Sequence, residues 1–256
     1  MNKYLSNLNR IEFVVTMACT GRCKHCSEGE HAAKGECIDG DTAARAVCEV
    51  CGNYKINSLM TFGGEPLLYP EVVCKIHEAG KKMNIPKREI ITNGYFSKDE
   101  KRVNEVAHML AISGVNHILL SVDAFHQETI PVNYVKKFAE SIVREGILIK
   151  VHPAWLVSAE DNNPYNLRTK EIVNEFSLLG INCSNGNIVF PSGNAIKHLK
   201  EYFMNGEDFI DPYEDDPKDI RAISFSPNGD VLNGNVYKEN ILNILDSYSV
   251  NMQASI

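Results

Sequence analysis

Short apolar runs rich in Val, Ile and Leu alternate along the chain with longer amphipathic stretches. The short runs predict strands, and the stretches between them predict helices. The predicted strands cover residues 10–16, 58–62, 89–92, 116–122, 147–157 and 186–190, and the predicted helices between them cover 43–53, 70–84, 98–113, 131–145 and 166–179. Strands that alternate with helices favour parallel βαβ units. Six strands are too few for a closed eight-stranded barrel.

The tail has a different pattern. Pro227-Asn228-Gly229-Asp230 separates two apolar stretches, residues 223–226 and 231–233, and Asn-Gly between strands favours a hairpin. A helix over residues 238–248 follows, and residues 211–217 form an acidic stretch typical of a surface loop. We therefore expect a barrel core over residues 1–210 and a C-terminal extension of hairpin and helix over residues 211–256.

Three cysteines, Cys19, Cys23 and Cys26, lie in the loop that follows the first predicted strand. Three thiolates on one loop can converge on a metal centre. A zinc site takes four ligands, and no nearby Cys or His has the usual spacing of a second ligand pair. Cubane iron–sulfur clusters are held by cysteine thiolates. Three cysteines would hold such a cluster and leave one iron open for a small molecule.

Polar and glycine-rich motifs end the next three predicted strands. They are, in order, Phe62-Gly63-Gly64-Glu65-Pro66, then Thr92-Asn93-Gly94, then Ser121-Val122-Asp123. Paired glycines let a backbone approach a ligand closely, and ligands of open α/β sheets bind at the carboxyl ends of the strands. Ordinary turns and strand-end caps are the alternative interpretation of each motif.

In this order the cysteine loop and the three motifs resemble the radical SAM superfamily, from the first strand to the sixth. The resemblance implies an α/β fold, an open partial (β/α)6 barrel with the small C-terminal extension. It implies two cofactors, one [4Fe–4S] cluster held by Cys19, Cys23 and Cys26 and S-adenosylmethionine on the open iron. The implied contacts to S-adenosylmethionine are Gly63, Gly64, Glu65, Asn93, Ser121 and Asp123, with Glu65 on the methionine ammonium. No catalytic residue beyond the cluster ligands is assigned.

The resemblance also implies an enzyme. The reduced cluster would cleave S-adenosylmethionine to a 5′-deoxyadenosyl radical, which would abstract hydrogen from a substrate. Such chemistry implies an anaerobic setting or a protected cluster, and a flavodoxin- or ferredoxin-like electron donor. The stretch 224–231 resembles the hairpin of SPASM/twitch domains, which favours a peptide or protein substrate. No cysteine follows Cys183, so we expect no auxiliary cluster in the tail. A small molecule or nucleoside substrate, and a non-enzymatic iron–sulfur sensor, are the alternatives.

Several further residues keep two interpretations at this stage. His25, His31 and His126 follow the motifs closely and are either site residues or ordinary histidines. The segment 192–194 is expected, by similarity, to contact adenine through its backbone. Cys37, Cys48 and Cys51 either hold another metal or act as small apolar residues, the commoner role of a buried free cysteine.

The composition argues against two kinds of binding partner, nucleic acid and membrane. The 256 residues carry a net charge of −7 and no long basic block, so no extended nucleic-acid surface is indicated. No apolar run approaches bilayer length, and the first ten residues lack the apolar core of a signal peptide. We therefore interpret the eight cysteines as cytosolic thiols and expect a cytoplasmic protein.

Overall fold

The computed structural model describes residues 2–203 and 216–250. Within them the strands are β1 (Arg10–Thr16), β2 (Ser58–Gly63), β3 (Lys87–Thr92), β4 (His117–Leu120), β5 (Leu148–Val151), β6 (Ala154–Trp155), β7 (Asn182–Cys183), β8 (Asn187–Ile188), β9 (Ala222–Phe225), β10 (Asp230–Val231) and β11 (Gly234–Asn235). The helices are α1 (Gly40–Asn53), α2 (Pro70–Lys82), α3 (Glu100–Ser113), α4 (Ala124–Gln127), α5 (Val132–Arg144), α6 (Pro164–Ser177), α7 (Gly193–His198) and α8 (Ile241–Ser247).

The main sheet has seven strands in the order β7-β5-β4-β3-β2-β1-β9, and every pairing in it is parallel. The sheet ends at two separate edges, β7 and β9, so the barrel is not closed. This confirms the predicted α/β class and the open barrel.

Alternation along β1 separates the two faces of the sheet. Ile11 and Phe13 are fully buried in the core that includes α1, whereas Arg10 and Glu12 border an open cavity on the concave face. Successive side chains of a strand point to opposite faces, so the helices cover one face and leave the other for a ligand.

Local sequence signals set the helix ends. The Asp39 carboxylate accepts a hydrogen bond from Thr42 N at 2.8 Å and caps α1. Gly114 ends α3 in the left-handed conformation, with a φ of 94°. Proline occupies the first position of α2 and of α6, where its missing N–H is not needed.

The predicted strand over residues 147–157 is broken in the structure. β5 ends at Val151, and β6 pairs instead with β8 in a separate two-stranded sheet. Pro153 lies between them and has no N–H to continue a ladder. The predicted sixth strand over residues 186–190 is therefore not part of the main sheet, and β7 takes its place beside β5.

The predicted hairpin also differs. Its first strand, β9, pairs in parallel with β1, because this placement buries Phe225 against Phe13 with ring centroids 4.6 Å apart. The turn at residues 227–230 still forms, since Gly229 N donates to Ser226 O at 2.9 Å. The antiparallel pair of the tail is instead formed by the next two strands, β10 and β11.

The proposed boundary at residues 210 and 211, and most of the acidic stretch 211–217, lie outside the described residues. The division into core and extension therefore stays a prediction. Across the described ranges, no helix combines the length and the hydropathy needed to cross a membrane.

Candidate cofactor site

A cavity of about 850 Å³ lies on the concave face and reaches the carboxyl ends of the strands. Seven of the nine residues predicted from the motifs, and all three histidines left open between two roles, are among those that border it. These ten are Cys19, Cys23, Cys26, Gly63, Gly64, Asn93, Ser121, His25, His31 and His126. The structure thus brings the motifs of four consecutive strands to one place.

The three cysteines are free thiols on the loop between β1 and α1. Cys19 and Cys23 are each 8% exposed, and Cys26 is half-buried. The sulfurs of Cys19 and Cys23 lie 3.7 and 3.2 Å from the point that a Cβ on Gly21 would occupy. The two thiols therefore converge on the same side of the loop, around a residue that leaves room for them.

Burial makes these thiols hard to ionise in the absence of a metal. It raises the pKa of Cys19 to about 11, with the nearby Glu65 adding to the effect. Burial also raises the pKa of Cys23 and of Cys26. Metal ligation needs the thiolate, so a cationic group bound here would have to replace three protons. An iron–sulfur cluster would supply that positive charge, and the donor set fits it.

The spacing of the sulfurs argues against a single zinc ion. Two sulfurs on one zinc lie at most about 4.6 Å apart, twice the Zn–S distance. Among residues 2–203 and 216–250, the one set of three or more donors with all mutual distances within 4.8 Å is Cys23, His25 and His126, not the three cysteines. The alternative site at Cys37, Cys48 and Cys51 does not form such a set either, and the last two pack against the core around α1.

The cysteine loop is held by a segment far away in sequence. Asn194 N donates to Cys26 O at 2.8 Å, and its Nδ2 donates to Cys23 O at 3.2 Å and to Gly29 O at 3.1 Å. A Cβ on Gly193, whose φ is 51°, would lie 2.2 Å from Ser27 O. Residues 193 and 194 thus pack directly on the loop, a role that sequence reasoning missed. No local pattern signals a contact between residues 170 positions apart.

The paired glycines explain how β2 meets the same loop. Gly64 N donates to Thr16 O and Glu65 N donates to Ala18 O, both at 2.8 Å. Gly63 has a φ of 139°, and a Cβ on Gly64 would lie 2.2 Å from Ala18 O. Only glycine allows this approach, so the motif fixes the loop entrance as well as bordering the cavity.

Glu65 lies behind the cavity surface. It is fully buried, and its carboxylate accepts hydrogen bonds from Leu67 N at 2.9 Å, Thr92 Oγ1 at 2.7 Å and Asn93 N at 2.8 Å. Burial raises the pKa of Glu65 to about 7, although these hydrogen bonds act in the opposite direction. The carboxylate thereby ties the end of β2 to the end of β3.

Asn93 occupies the position between Glu65 and the cysteines. Its Nδ2 lies 3.6 Å from Cys19 Sγ and 3.1 Å from Thr20 Oγ1, and its Oδ1 accepts from Tyr95 N at 2.8 Å. Ser121 is held beside it, since Ser121 N donates to Thr92 O at 2.8 Å. Both residues offer polar groups to the cavity.

Asp123, like Glu65, is buried and does not border the cavity, whereas His126 lies between Asp123 and the cavity. The Asp123 carboxylate is fully buried and accepts from His126 N, from the His126 ring and from Ala154 N. Burial alone would raise the pKa of Asp123, but the adjacent His126 and its hydrogen bonds outweigh burial and hold the pKa below its usual value. The carboxylate therefore stays ionised and is engaged with protein groups.

The two remaining histidines also lie at the site. His25 packs with ring centroids 4.8 Å from those of Phe125 and His126, and its buried Nδ1 has no hydrogen-bond partner in the described part of the chain. Burial lowers the pKa of His25 to about 4, so its ring is neutral. His31 Nε2 lies 3.1 Å from Cys26 Sγ. The cysteine spacing alone could not single out either ring.

Comparison with known proteins agrees with this geometry. A family model described as the Radical SAM superfamily matches residues 13–147. Curated relatives include probable GTP 3′,8-cyclases of Saccharolobus islandicus and Saccharolobus solfataricus, each 27% identical over 210 residues. The match covers 76% of this chain and 64% of theirs, so the chain spans less than two thirds of the length of these relatives.

Solved structures share the fold. SuiB of Streptococcus suis bound to the precursor peptide SuiA superposes with a TM-score of 0.61 at 14% identity, over 96% of this chain and 66% of that one. Native anSMEcpe with bound AdoMet gives a TM-score of 0.50 at 18% identity, over 77% and 59%. The family model covers more than half of the 256 residues, and we conclude that the chain belongs to the radical SAM superfamily, enzymes that use a [4Fe–4S] cluster and S-adenosylmethionine.

Proposed function

We propose that Cys19, Cys23 and Cys26 hold one [4Fe–4S] cluster and that S-adenosylmethionine binds beside it in the cavity. The observation that carries the proposal is the convergence of three free thiols, two buried and one half-buried, on the border of a cavity that the strand-end motifs also line. When bound and reduced, the cluster supplies the electron that cleaves S-adenosylmethionine, the chemistry of the superfamily. The protein's own part is to position the two cofactors and to exclude water.

Four residues at the cavity surface supply the contacts to S-adenosylmethionine in this proposal. Gly63 and Gly64 present backbone without side chains, so a ligand can approach them closely. Asn93 and Ser121 present an amide and a hydroxyl, which suit ribose hydroxyls and a carboxylate.

Glu65 and Asp123 act from behind the surface in the same proposal. Glu65 fixes Asn93 through the backbone, and a pKa of about 7 means that a cation nearby would favour its ionised form. The methionine ammonium of S-adenosylmethionine is such a cation. Its binding nearby would favour the ionised carboxylate of Glu65, although Glu65 is buried. Asp123 orients His126, the residue that borders the cavity.

Two substrate classes follow from two different observations. The curated relatives are GTP 3′,8-cyclases, and their similarity over 210 residues favours a nucleotide. The tail motif at residues 224–231 favours a peptide, but this resemblance covers only eight residues, and in the structure β9 pairs with β1 and β10 with β11. A nucleotide is therefore our first choice and a peptide our second.

The decisive experiment is anaerobic reconstitution with iron and sulfide, followed by dithionite and S-adenosylmethionine. Dithionite replaces the proposed flavodoxin- or ferredoxin-like donor. We expect about four iron per chain and release of 5′-deoxyadenosine. The Cys19/Cys23/Cys26→Ala triple variant should show neither, and the exposed Cys183→Ala should match the wild type.

Substrate choice and the sensor alternative are tested in the same assay. Consumption of added GTP, with more 5′-deoxyadenosine, supports a nucleotide substrate. No response to GTP rejects GTP as the substrate. A loaded cluster that neither binds nor cleaves S-adenosylmethionine would overturn the proposal in favour of an iron–sulfur sensor. Equilibrium dialysis with labelled S-adenosylmethionine separates these outcomes.

A further inference from the structure

His31 lies outside the three-cysteine motif in sequence but against it in space. Its Nε2 is 3.1 Å from Cys26 Sγ, and its Nδ1 is 2.7 Å from Met17 O, directly after β1. The ring therefore bridges the third cysteine and the end of the first strand.

The chain after Cys26 is folded back so that the ring can reach the sulfur. Gly29 N donates to Cys26 O at 3.3 Å, and Cys19 N donates to Ala32 O at 2.9 Å. Lys197 on α7 forms an ion pair of 2.9 Å with Glu30 on the outside of this segment. The position of His31 is thus set by backbone contacts on both sides of it.

The two groups that the His31 ring contacts, Met17 O and Cys26 Sγ, determine how the ring can hydrogen-bond to them. Met17 O can only accept, so Nδ1 carries a hydrogen. A cysteine that ligates iron is a thiolate and has no hydrogen to give. In the loaded protein a hydrogen between Nε2 and Sγ can only come from the ring, and the contact is then N–H···S.

The contact distinguishes Cys26 from Cys19. Cys19 Sγ receives Gly21 N at 3.3 Å and Asn93 Nδ2 at 3.6 Å, both neutral amide donors and both longer. Hydrogen bonds to the sulfurs are among the factors that set the potential of an iron–sulfur cluster. Because reduction adds negative charge, a donor to sulfur stabilises the reduced state more than the oxidised state.

We propose that His31 donates a hydrogen bond to the Cys26 sulfur of the loaded cluster and raises its reduction potential. This rests on the cluster assignment of the proposed function. His31 is then a positioning residue, which acts on the cluster through Cys26.

The test compares three variants after reconstitution, without S-adenosylmethionine or substrate. His31→Leu removes the donor at similar size, His31→Gln keeps a neutral N–H donor, and His108→Gln changes an exposed histidine on α3 as the control. Iron and sulfide per chain report loading. A redox titration followed by electron paramagnetic resonance reports the midpoint potential.

We expect wild type and His108→Gln to share one potential, His31→Leu to have the lowest and His31→Gln to lie between. A His31→Leu potential equal to the wild type would overturn the inference. Should His31→Leu retain no iron, His31→Gln decides: a potential below the wild type supports the hydrogen bond, and an equal one rejects it. A wild type that binds no cluster would instead reject the proposed function, so the two failures are distinct.

Discussion

The Asp123 carboxylate holds the His126 ring from behind the cavity. Its Oδ2 lies 2.8 Å from His126 Nδ1, and its Oδ1 accepts from His126 N at 2.9 Å, which also caps α4. Oδ2 accepts a second hydrogen bond from Ala154 N at 3.0 Å. One buried carboxylate thus fixes a cavity residue, a helix start and the first residue of β6.

Asp123→Asn should therefore destabilise the protein. An amide has one acceptor oxygen, so its NH₂ group must face Ala154 N, His126 N or the hydrogen on the ring. A buried donor left unpaired costs about 1–3 kcal/mol. Urea unfolding should show a loss of this size. Asp41→Asn is the control, because its ion pair with Lys75 is exposed and screened by solvent, so its loss should change the stability little. Equal losses in the two variants would contradict the role given to Asp123.

Gly64 and Gly52 should respond in opposite ways to substitution by alanine. A Cβ on Gly64 would lie 2.2 Å from Ala18 O and 2.7 Å from Ala18 C, both backbone atoms that cannot move aside cheaply. We expect Gly64→Ala to prevent correct closure of the cysteine loop, with loss of cluster loading on reconstitution. Gly52 lies in α1 with nothing within 4 Å of its Cβ position. Gly52→Ala should load fully and gain about 0.5–1 kcal/mol of stability, since alanine favours a helix interior. Normal loading of Gly64→Ala would show that the close approach is not required.

The sequence predicts those features of the fold that depend on residues close to one another along the chain. β1 has the predicted bounds, and β2 and β3 end within one residue of the prediction, because alternation and strand-end glycines mark them. The break at Pro153 is also a local signal, but a run of apolar residues on both sides of it masked it. The pairing of β9 with β1 is not local. It depends on the burial of Phe225 against Phe13, more than 200 residues earlier.

The same distinction applies to the site. Spacing was enough to predict that Cys19, Cys23 and Cys26 lie together at one site, and the structure places all three on the border of the cavity. The sequence could not show that Glu65 and Asp123 sit behind the surface, because strand-end carboxylates look alike whether they face a cavity or a neighbouring backbone. The contacts of Asn194 and His31 depend on how loops fold back, which periodicity does not encode.

Asn194→Asp tests the hold on the cysteine loop. Asn194 Nδ2 donates to Cys23 O and Gly29 O, and a carboxylate would place negative charge against both carbonyls. We expect less iron per chain after reconstitution and faster amide exchange over residues 19–29, measured by mass spectrometry. Asn53→Asp, at the exposed end of α1, is the matched control and should behave as the wild type. Unchanged exchange in Asn194→Asp would remove Asn194 from the support of the site.

The last prediction concerns acid stability and His77, a fully buried residue of α2 whose Nε2 lies 3.0 Å from Thr61 Oγ1. Burial, with the nearby Arg88 in second place, lowers the pKa of His77 to about 3. An unfolded histidine binds its proton near pH 6.5, so between about pH 6.5 and 3 the unfolded state binds more protons than the folded state. His77 therefore makes stability fall as the pH drops through this window, by up to about 1.4 kcal/mol per pH unit, and has no effect above it.

His77→Gln removes this titration and keeps a group that can hydrogen-bond Thr61. The free energy of unfolding, measured by urea denaturation from pH 4 to 8, should depend less steeply on pH in the variant than in the wild type. Part of the slope should persist, because burial also lowers the pKa of His25 to about 4. His108→Gln changes an exposed histidine and should retain the wild-type slope. Parallel curves for wild type and His77→Gln would mean that His77 is protonated, or reaches water, in the folded protein.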